Sequence, residues 1–392
     1  MSTPPRTSRP PRTSDVLDVD ALLDDPQTRV VVCCGSGGVG KTTTAAALAL
    51  RGAERGRRVV VLTIDPARRL AQSMGLNELD NTPRPVAGVD TSSGGSLDAM
   101  MLDMKRTFDE VIEAHASPEK ARQIFENPFY QAMSSSFAGT QEYMAMEKLG
   151  QLRAQVESGD GVWDLIVVDT PPSRSALDFL DAPQRLGSFL DGRLIRLLSA
   201  PAKVGGRAYL KVVSVAVGGA TGILTRLLGA QILRDVQSFV AALDTVFGGF
   251  RERADRTYRL LQQEGTAFLV VAAPEPDALR EASYFVERLA AEKMPLAGLV
   301  LNRVHMTQAE DLSADRALAA AEELEDAGGH PLTVALLKIH GNQVRRLDRE
   351  RVLAARFAST HPQVAVVAVA ALPQDVHDLR GLREVGTDLA KG

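Results

Sequence analysis

Hydrophobic positions in this chain gather in short unbroken runs, not in strict alternation with polar ones. Seven runs stand out: RVVVCC (Arg29 to Cys34), RVVVLTID (Arg58 to Asp65), LDAMMLD (Leu97 to Asp103), WDLIVVDT (Trp163 to Thr170), AFLVVAA (Ala267 to Ala273), LAGLVLN (Leu296 to Asn302) and VAVVAVA (Val364 to Ala370). Runs this short, rich in β-branched residues and spaced widely enough for helices between them, predict strands buried on both faces of a parallel sheet. The class predicted is α/β, a doubly wound, mostly parallel sheet with helical insertions. In such a sheet ligands collect beyond the carboxyl ends of the strands, where Ser36, Asp65, Asp169 and Asn302 fall.

Two stretches break the alternation. Residues 104–152 and 178–261 show helical periodicity and no strand signal, so both read as helical insertions within one large domain spanning 26–392. The first 25 residues, beginning MSTPPRTSRPPRTSD, lack an apolar segment and read as a disordered tail, neither a signal peptide nor an anchor. With 45% hydrophobic and 24% charged residues the rest is ordinary globular material. A formal net charge of −4 gives no reason to expect nucleic acid. The two cysteines, Cys33 and Cys34, are adjacent on one strand where they cannot pair, which fits the reducing cytoplasm and a packing role.

The first run leads into chemistry. Gly35 to Thr42 reads GSGGVGKT, which fits G-x-x-x-x-G-K-[ST] between a strand and a helix. Gly35, Ser36, Gly37, Gly38, Val39 and Gly40 can fold tightly enough to aim consecutive N–H groups at a phosphate. Lys41 adds a point charge, Thr42 can hold Mg²⁺, and the helix beginning near Thr43 presents its positive end. ATP with Mg²⁺ is the expected cofactor. Asp65 and Asp169 each end a buried strand and are followed closely by proline, in TIDPARRL and VVDTPPSRSALDFLDAP. Carboxylates at strand tips beside such a loop suit Mg²⁺ coordination and water activation.

Together these segments resemble the ArsA family, the P-loop ATPases that include the arsenite-pump ATPase and the guided-entry targeting factor for tail-anchored membrane proteins. The resemblance rests on GSGGVGKTTTAAALAL, TIDPARRLAQSMG, GTQEYMAMEKL and VVDTPPSRSALDFLDAP, with weaker echoes in APEPDALREASYFVERL, GLVLNRV and LPQDVHDLRGL. It implies an obligate dimer closing around two ATP molecules. It further implies that Asp65 orients the attacking water, Asp169 acts on Mg²⁺, Asn302 and Pro373 meet adenine, and Glu142 lies at the dimer interface.

The departures from the family pattern are informative. The family loop reads G-K-G-G-x-G-K-[ST], and its first lysine reaches the partner's phosphates much as an arginine finger does. Ser36 stands there instead. Either Arg68, Arg69 or Arg174 replaces the charge, or a related subunit supplies the lysine in a heterodimer, which is the preferred expectation. No C-x-x-C pair and no spaced cysteines occur, so zinc-clasp and metalloid chemistry are not expected. Residues 193–234 contain seven basic residues, Arg193, Arg196, Lys203, Arg207, Lys211, Arg226 and Arg234, and no acid, interleaved with apolar runs. That segment reads either as an internal packing or dimer face, or as a surface for a hydrophobic client or an anionic membrane. The expected function is an ATP-driven dimeric switch acting on a hydrophobic client or membrane partner, cytoplasmic or peripheral at the membrane. Alternatives are an anion-pump subunit of the arsenite type, a positioning ATPase on membrane or DNA, and a metabolic P-loop enzyme.

Overall fold

The computed structural model describes residues 16–64, 69–127, 130–131, 140–157, 162–171, 252–307, 309 and 311–391. The chain divides into two compact units, one comprising Met1–Met101, Gln155–Leu177 and Leu261–Gly392, the other Leu102–Ala154 and Asp178–Leu260.

The first unit is built on an eight-stranded sheet in the order β3-β4-β2-β5-β1-β6-β7-β8. Its strands are β1 (Val30–Cys34), β2 (Arg58–Thr63), β3 (Arg84–Pro85), β4 (Ser96–Met101), β5 (Leu165–Asp169), β6 (Thr266–Ala272), β7 (Leu296–Val304) and β8 (Val366–Ala370). All seven runs read from the sequence form strands, and every pairing among them is parallel. Only β3 was missed; it is two residues long, antiparallel to β4, and too short to show a pattern. The α/β class is as expected. β1 lies between β5 and β6, so the chain builds outward on one side of it and later on the other. Its carboxyl end is the topological switch point, the place where ligands bind in open α/β sheets.

Helix α1 (Val19–Asp24) and helix α2 (Lys41–Glu54) follow the start of the chain and β1 respectively. Helix α2 is close-packed on the sheet because Ala45, Ala46, Ala47, Ala49 and Ala53 are all buried, and small side chains let helix and strands approach. After β2 comes α3 (Arg69–Ser73). The second unit carries α4 (Met104–His115) and α5 (Pro118–Phe125), followed along the chain by α6 (Thr140–Glu157). Here Arg253 pairs with the buried Glu147, and Lys148 with Glu110. The strands β6 to β8 are connected by α7 (Pro276–Ala291) and then by α8 (Ala314–Asp326) and α9 (Pro331–Thr360), and α10 (Leu379–Leu389) closes the chain. α10 lies on α2, where Arg383 donates to Glu54 Oε1 at 2.9 Å and to the Gly88 carbonyl at 2.7 Å.

The tail expectation is corrected over residues 16–25. Leu17, Val19 and Leu23 are buried, and Asp18 caps α1 through the Ala21 N–H, so this stretch is part of the core. Composition concealed it because three apolar residues suffice to dock one and a half turns. Arg51 and Arg55 pair with Asp20 and Asp24 on α1, and the buried Arg57 adds a further tie. Its guanidinium donates to Asp164 Oδ1 at 2.7 Å and to the carbonyls of Leu23 at 2.7 Å, Asp25 at 3.0 Å, Thr28 at 2.8 Å and Asp164 at 3.0 Å. One fork thus ties α1, the turn before β1 and the start of β5 together. Arg57→Ala should destabilise this unit by about 3 kcal/mol, since it strands a carboxylate and several carbonyls. Arg57→Lys should recover little of that because an ammonium cannot reproduce the fork. Urea unfolding followed by circular dichroism measures both.

Candidate functional site

The loop after β1 is shaped by close backbone contact. Gly35 has φ +150°, and a Cβ there would come within 2.1 Å of the Val271 carbonyl oxygen on β6. Gly40 has φ +94°, and a Cβ there would lie 2.2 Å from Asn302 Nδ2. At Gly35 the obstacle is main chain, so a larger residue would have to move the backbone; at Gly40 the left-handed φ strains any other residue, and the Asn302 amide would also have to shift. Gly37 and Gly38 are exposed at its crest, Ser36 is half-buried, and Val39 is buried beneath.

Gly40 is the N-cap of α2 and has no side chain to offer the first-turn N–H groups. No acidic residue stands in that turn either. A helix N-terminus left in that state is suited to an anion. Lys41 opens the helix, is buried, and curls back so that Nζ donates to the Ser36 carbonyl at 2.7 Å. Its ammonium is thereby held over the loop. Thr42 and Thr43 are half-buried on the same first turn.

Asp169 ends β5 fully buried, in register with Cys33 on β1 and with Thr63 on β2. Its Oδ2 accepts from the Thr63 hydroxyl at 2.9 Å, and its carbonyl accepts from Ile64 N at 2.9 Å. Beside it, the Thr170 hydroxyl donates to the Cys33 carbonyl at 2.8 Å. These bonds lock the ends of three adjacent strands together. Cys33 senses the charges that result: burial pushes its thiol well up, the Asp169 carboxylate adds to the rise, and Lys41 opposes it.

Sequence reasoning missed Thr63, although a hydroxyl ending the otherwise apolar run VVVLT was a visible signal. It also missed what Asn302 does. The β7–β8 register shifts between Leu301 and Val304, and Arg303 adopts φ +62°, so the strand bulges there. Asn302 is buried, and its Nδ2 donates to the Val39 carbonyl at 2.7 Å, bracing the loop from below. Pro373 is exposed on the segment between β8 and α10. Asp65, Arg68, Arg174 and the basic stretch 193–234 lie outside the described residues. Arg69 opens α3 and Glu142 lies within α6.

Cys33 and Cys34 are both fully buried. Consecutive strand residues face opposite sides of a sheet, so the two thiols cannot share one ligand. Burial pushes Cys34 up to about 12, so both remain thiols at neutral pH. Among the described residues no helix is long and apolar enough to cross a membrane.

A family model described as an anion-transporting ATPase matches residues 28–327, from just before β1 to the end of α8. The chain belongs to the ArsA ATPase family. Its similarity to individual members is distant but extensive. It is 26% identical to the ATPase ARSA2 of Chlamydomonas reinhardtii over 298 residues, covering 72% of this chain and 70% of that protein. It is 26% identical to the ATPase GET3 of Podospora anserina over 287 residues, covering 73% and 76%. It is 24% identical to the ATPase GET3B of Arabidopsis thaliana over 324 residues, covering 74% and 68%. The family is one of nucleotide-using ATPases, and the glycine cradle, the curled lysine and the buried carboxylate of this ArsA-type chain fit a Mg²⁺-bound nucleoside triphosphate.

Proposed function

We propose that this protein is a dimeric ATP switch that couples hydrolysis to the handling of a hydrophobic client or membrane partner. The observation that carries the reading is what gathers at the ends of two neighbouring strands: Asp169, locked by Thr63 in register with Cys33, and the loop that follows β1, on whose Ser36 carbonyl the Lys41 ammonium is held. In this reading residues Gly35 to Thr43 hold the phosphates, while Thr42 and Asp169 hold Mg²⁺, which offsets phosphate charge when bound. Asn302 and Pro373 border the adenine. Asn302 already spends one amide hydrogen on Val39, so its second hydrogen and its carbonyl oxygen are what it offers a base. Asp65, two residues beyond the strand end at Thr63, orients water. The partner is preferably a related subunit carrying the lysine that Ser36 replaces.

The anion-transport description of the family favours a second reading, a pump subunit. Thiolate recognition of a metalloid has little support here, because both cysteines are buried, protonated and on opposite faces. The resemblance to the targeting branch therefore weighs more.

Asp65→Asn tests the switch. It should bind ATP as the wild type does and lose at least about a hundredfold in turnover, since an amide does not polarise water as a carboxylate does. Filter-retained radiolabelled nucleotide should then accumulate as ATP instead of ADP. Turnover within a few-fold of wild type would make Asp65 a turn residue and remove it from the site.

A further inference from the structure

Thr63 and Asp169 break the pattern of the strands they end. From Val59↔Leu165 to Leu62↔Val168 the paired residues of β2 and β5 are apolar on both sides, and the last pair, Thr63↔Asp169, is polar. Both residues are buried, Thr63 to 1% exposure and Asp169 to 0%. Strand pairing does not need the bond between their side chains, because Ile64 N already donates to the Asp169 carbonyl at 2.9 Å and carries the ladder past this point. Nor does stability account for the pair, since well-packed apolar residues can replace buried polar partners at little cost.

The pair lies where the P-loop helix begins. Strand residues alternate between the two faces of a sheet, and Val31, Cys33, Val61 and Val167 pack in one core with Ala45 and Ala49 of α2. Thr63 and Asp169 are the next positions on that face. They end strands that run parallel with β1, at the edge of the sheet where the chain leaves Cys34 and enters α2 at Lys41. The polar pair is thus on the helix side of the sheet and toward the positive end of that helix.

We infer that Thr63 is a positioning residue, whose hydroxyl fixes the rotation of the Asp169 carboxylate and thereby sets how tightly the site holds the divalent cation that accompanies the nucleotide. The inference rests on the reading in which Asp169 acts on Mg²⁺. Threonine suits the task because its β-branched side chain is stiff about χ1, so the hydroxyl that donates to Oδ2 at 2.9 Å is itself held in place. A carboxylate offers about four acceptor sites, and taking up one hydrogen leaves it able to face a cation. Groups that orient a metal-facing carboxylate in this way commonly set metal affinity by about ten- to a hundredfold.

Calorimetric binding of AMP-PNP to the full chain, in excess Mg²⁺ and again in EDTA, tests this without recourse to turnover. The ratio of the two Kd values is what the cation adds. Thr63→Val, which keeps the shape and removes the hydroxyl, should cut that ratio by about tenfold or more, with a much smaller effect in EDTA. Thr63→Ala should do the same with different packing, and Thr63→Ser should restore most of the ratio. A merely structural role would weaken both Kd values together and leave the ratio unchanged, which would overturn the inference. Asp169→Asn separates it from the reading beneath it. If that variant collapses the ratio while Thr63→Val keeps it, Thr63 positions nothing and the Mg²⁺ assignment stands. If Asp169→Asn keeps the ratio, or the wild type binds equally well in Mg²⁺ and EDTA, the assignment itself is wrong and the inference goes with it.

Discussion

Lys41→Ala is expected to raise the Kd for Mg·ATP by at least about a hundredfold, a loss of roughly 2.7 kcal/mol or more, in calorimetric titration. Two effects act in the same direction. The substitution removes a charge-assisted contact to phosphate, which is stronger than a neutral one. It also removes the hydrogen bond from Nζ to the Ser36 carbonyl that holds the loop closed on itself. The fold should survive, because deleting a buried ammonium relieves its desolvation and α2 keeps its alanine contacts to the sheet. A melting curve close to that of the wild type distinguishes a lost site from a lost structure. Wild-type affinity in the variant would refute the phosphate assignment.

Ser36→Lys is expected to raise ATP turnover of the isolated chain by about two to three orders of magnitude, wherever that chain dimerises about its nucleotide sites. The gain is a cross-subunit charge placed where the transition state becomes more negative. The loop should tolerate the change, because Lys41 grips the main-chain carbonyl of residue 36 and the Ser36 side chain is only half-buried. Turnover of the wild-type chain alone should be slow and should rise on adding a related subunit whose loop carries the lysine. In the proposed heterodimer the effect has a direction: the partner's lysine would complete the site assigned to Lys41, Asp65 and Asp169, whereas Ser36 would not complete the partner's. A fast wild-type chain, indifferent to Ser36→Lys but crippled by Arg68→Ala or Arg174→Ala, would show that the charge arises within this chain.

The strand set and the P-loop were legible because their causes are local. A strand buried on both faces must be apolar at every position, so VVVCC, LIVVD and AFLVVA announce themselves whatever surrounds them. Gly35 and Gly40 are favoured by a close backbone approach and a handedness that strain any other residue, and a helix must follow for the loop to bind phosphate. The tail was misread at residues 16–25 because what holds it, the core around Leu17, Val19 and Leu23 and the arginines Arg51, Arg55 and Arg57, comes from elsewhere in the chain.

By itself the sequence determined the class of fold, the P-loop pattern from Gly35 to Thr42 and the place of Asp169 at a strand end, since each is a matter of residue type at short spacing. Only the tertiary structure decided which distant groups meet. Thr63 and Asp169 are 106 positions apart and touch because β2 and β5 are neighbours, an adjacency that periodicity does not encode. Asn302, at the irregularity near the end of β7, meets Val39 across 263 positions, a contact that no local pattern announces. Along α9, Leu347 and Phe357 are buried whereas Leu332, Leu336 and Ile339 are exposed, although all five recur at helical spacing. Burial belongs to what lies opposite a residue, and that is settled only when the sheet is assembled.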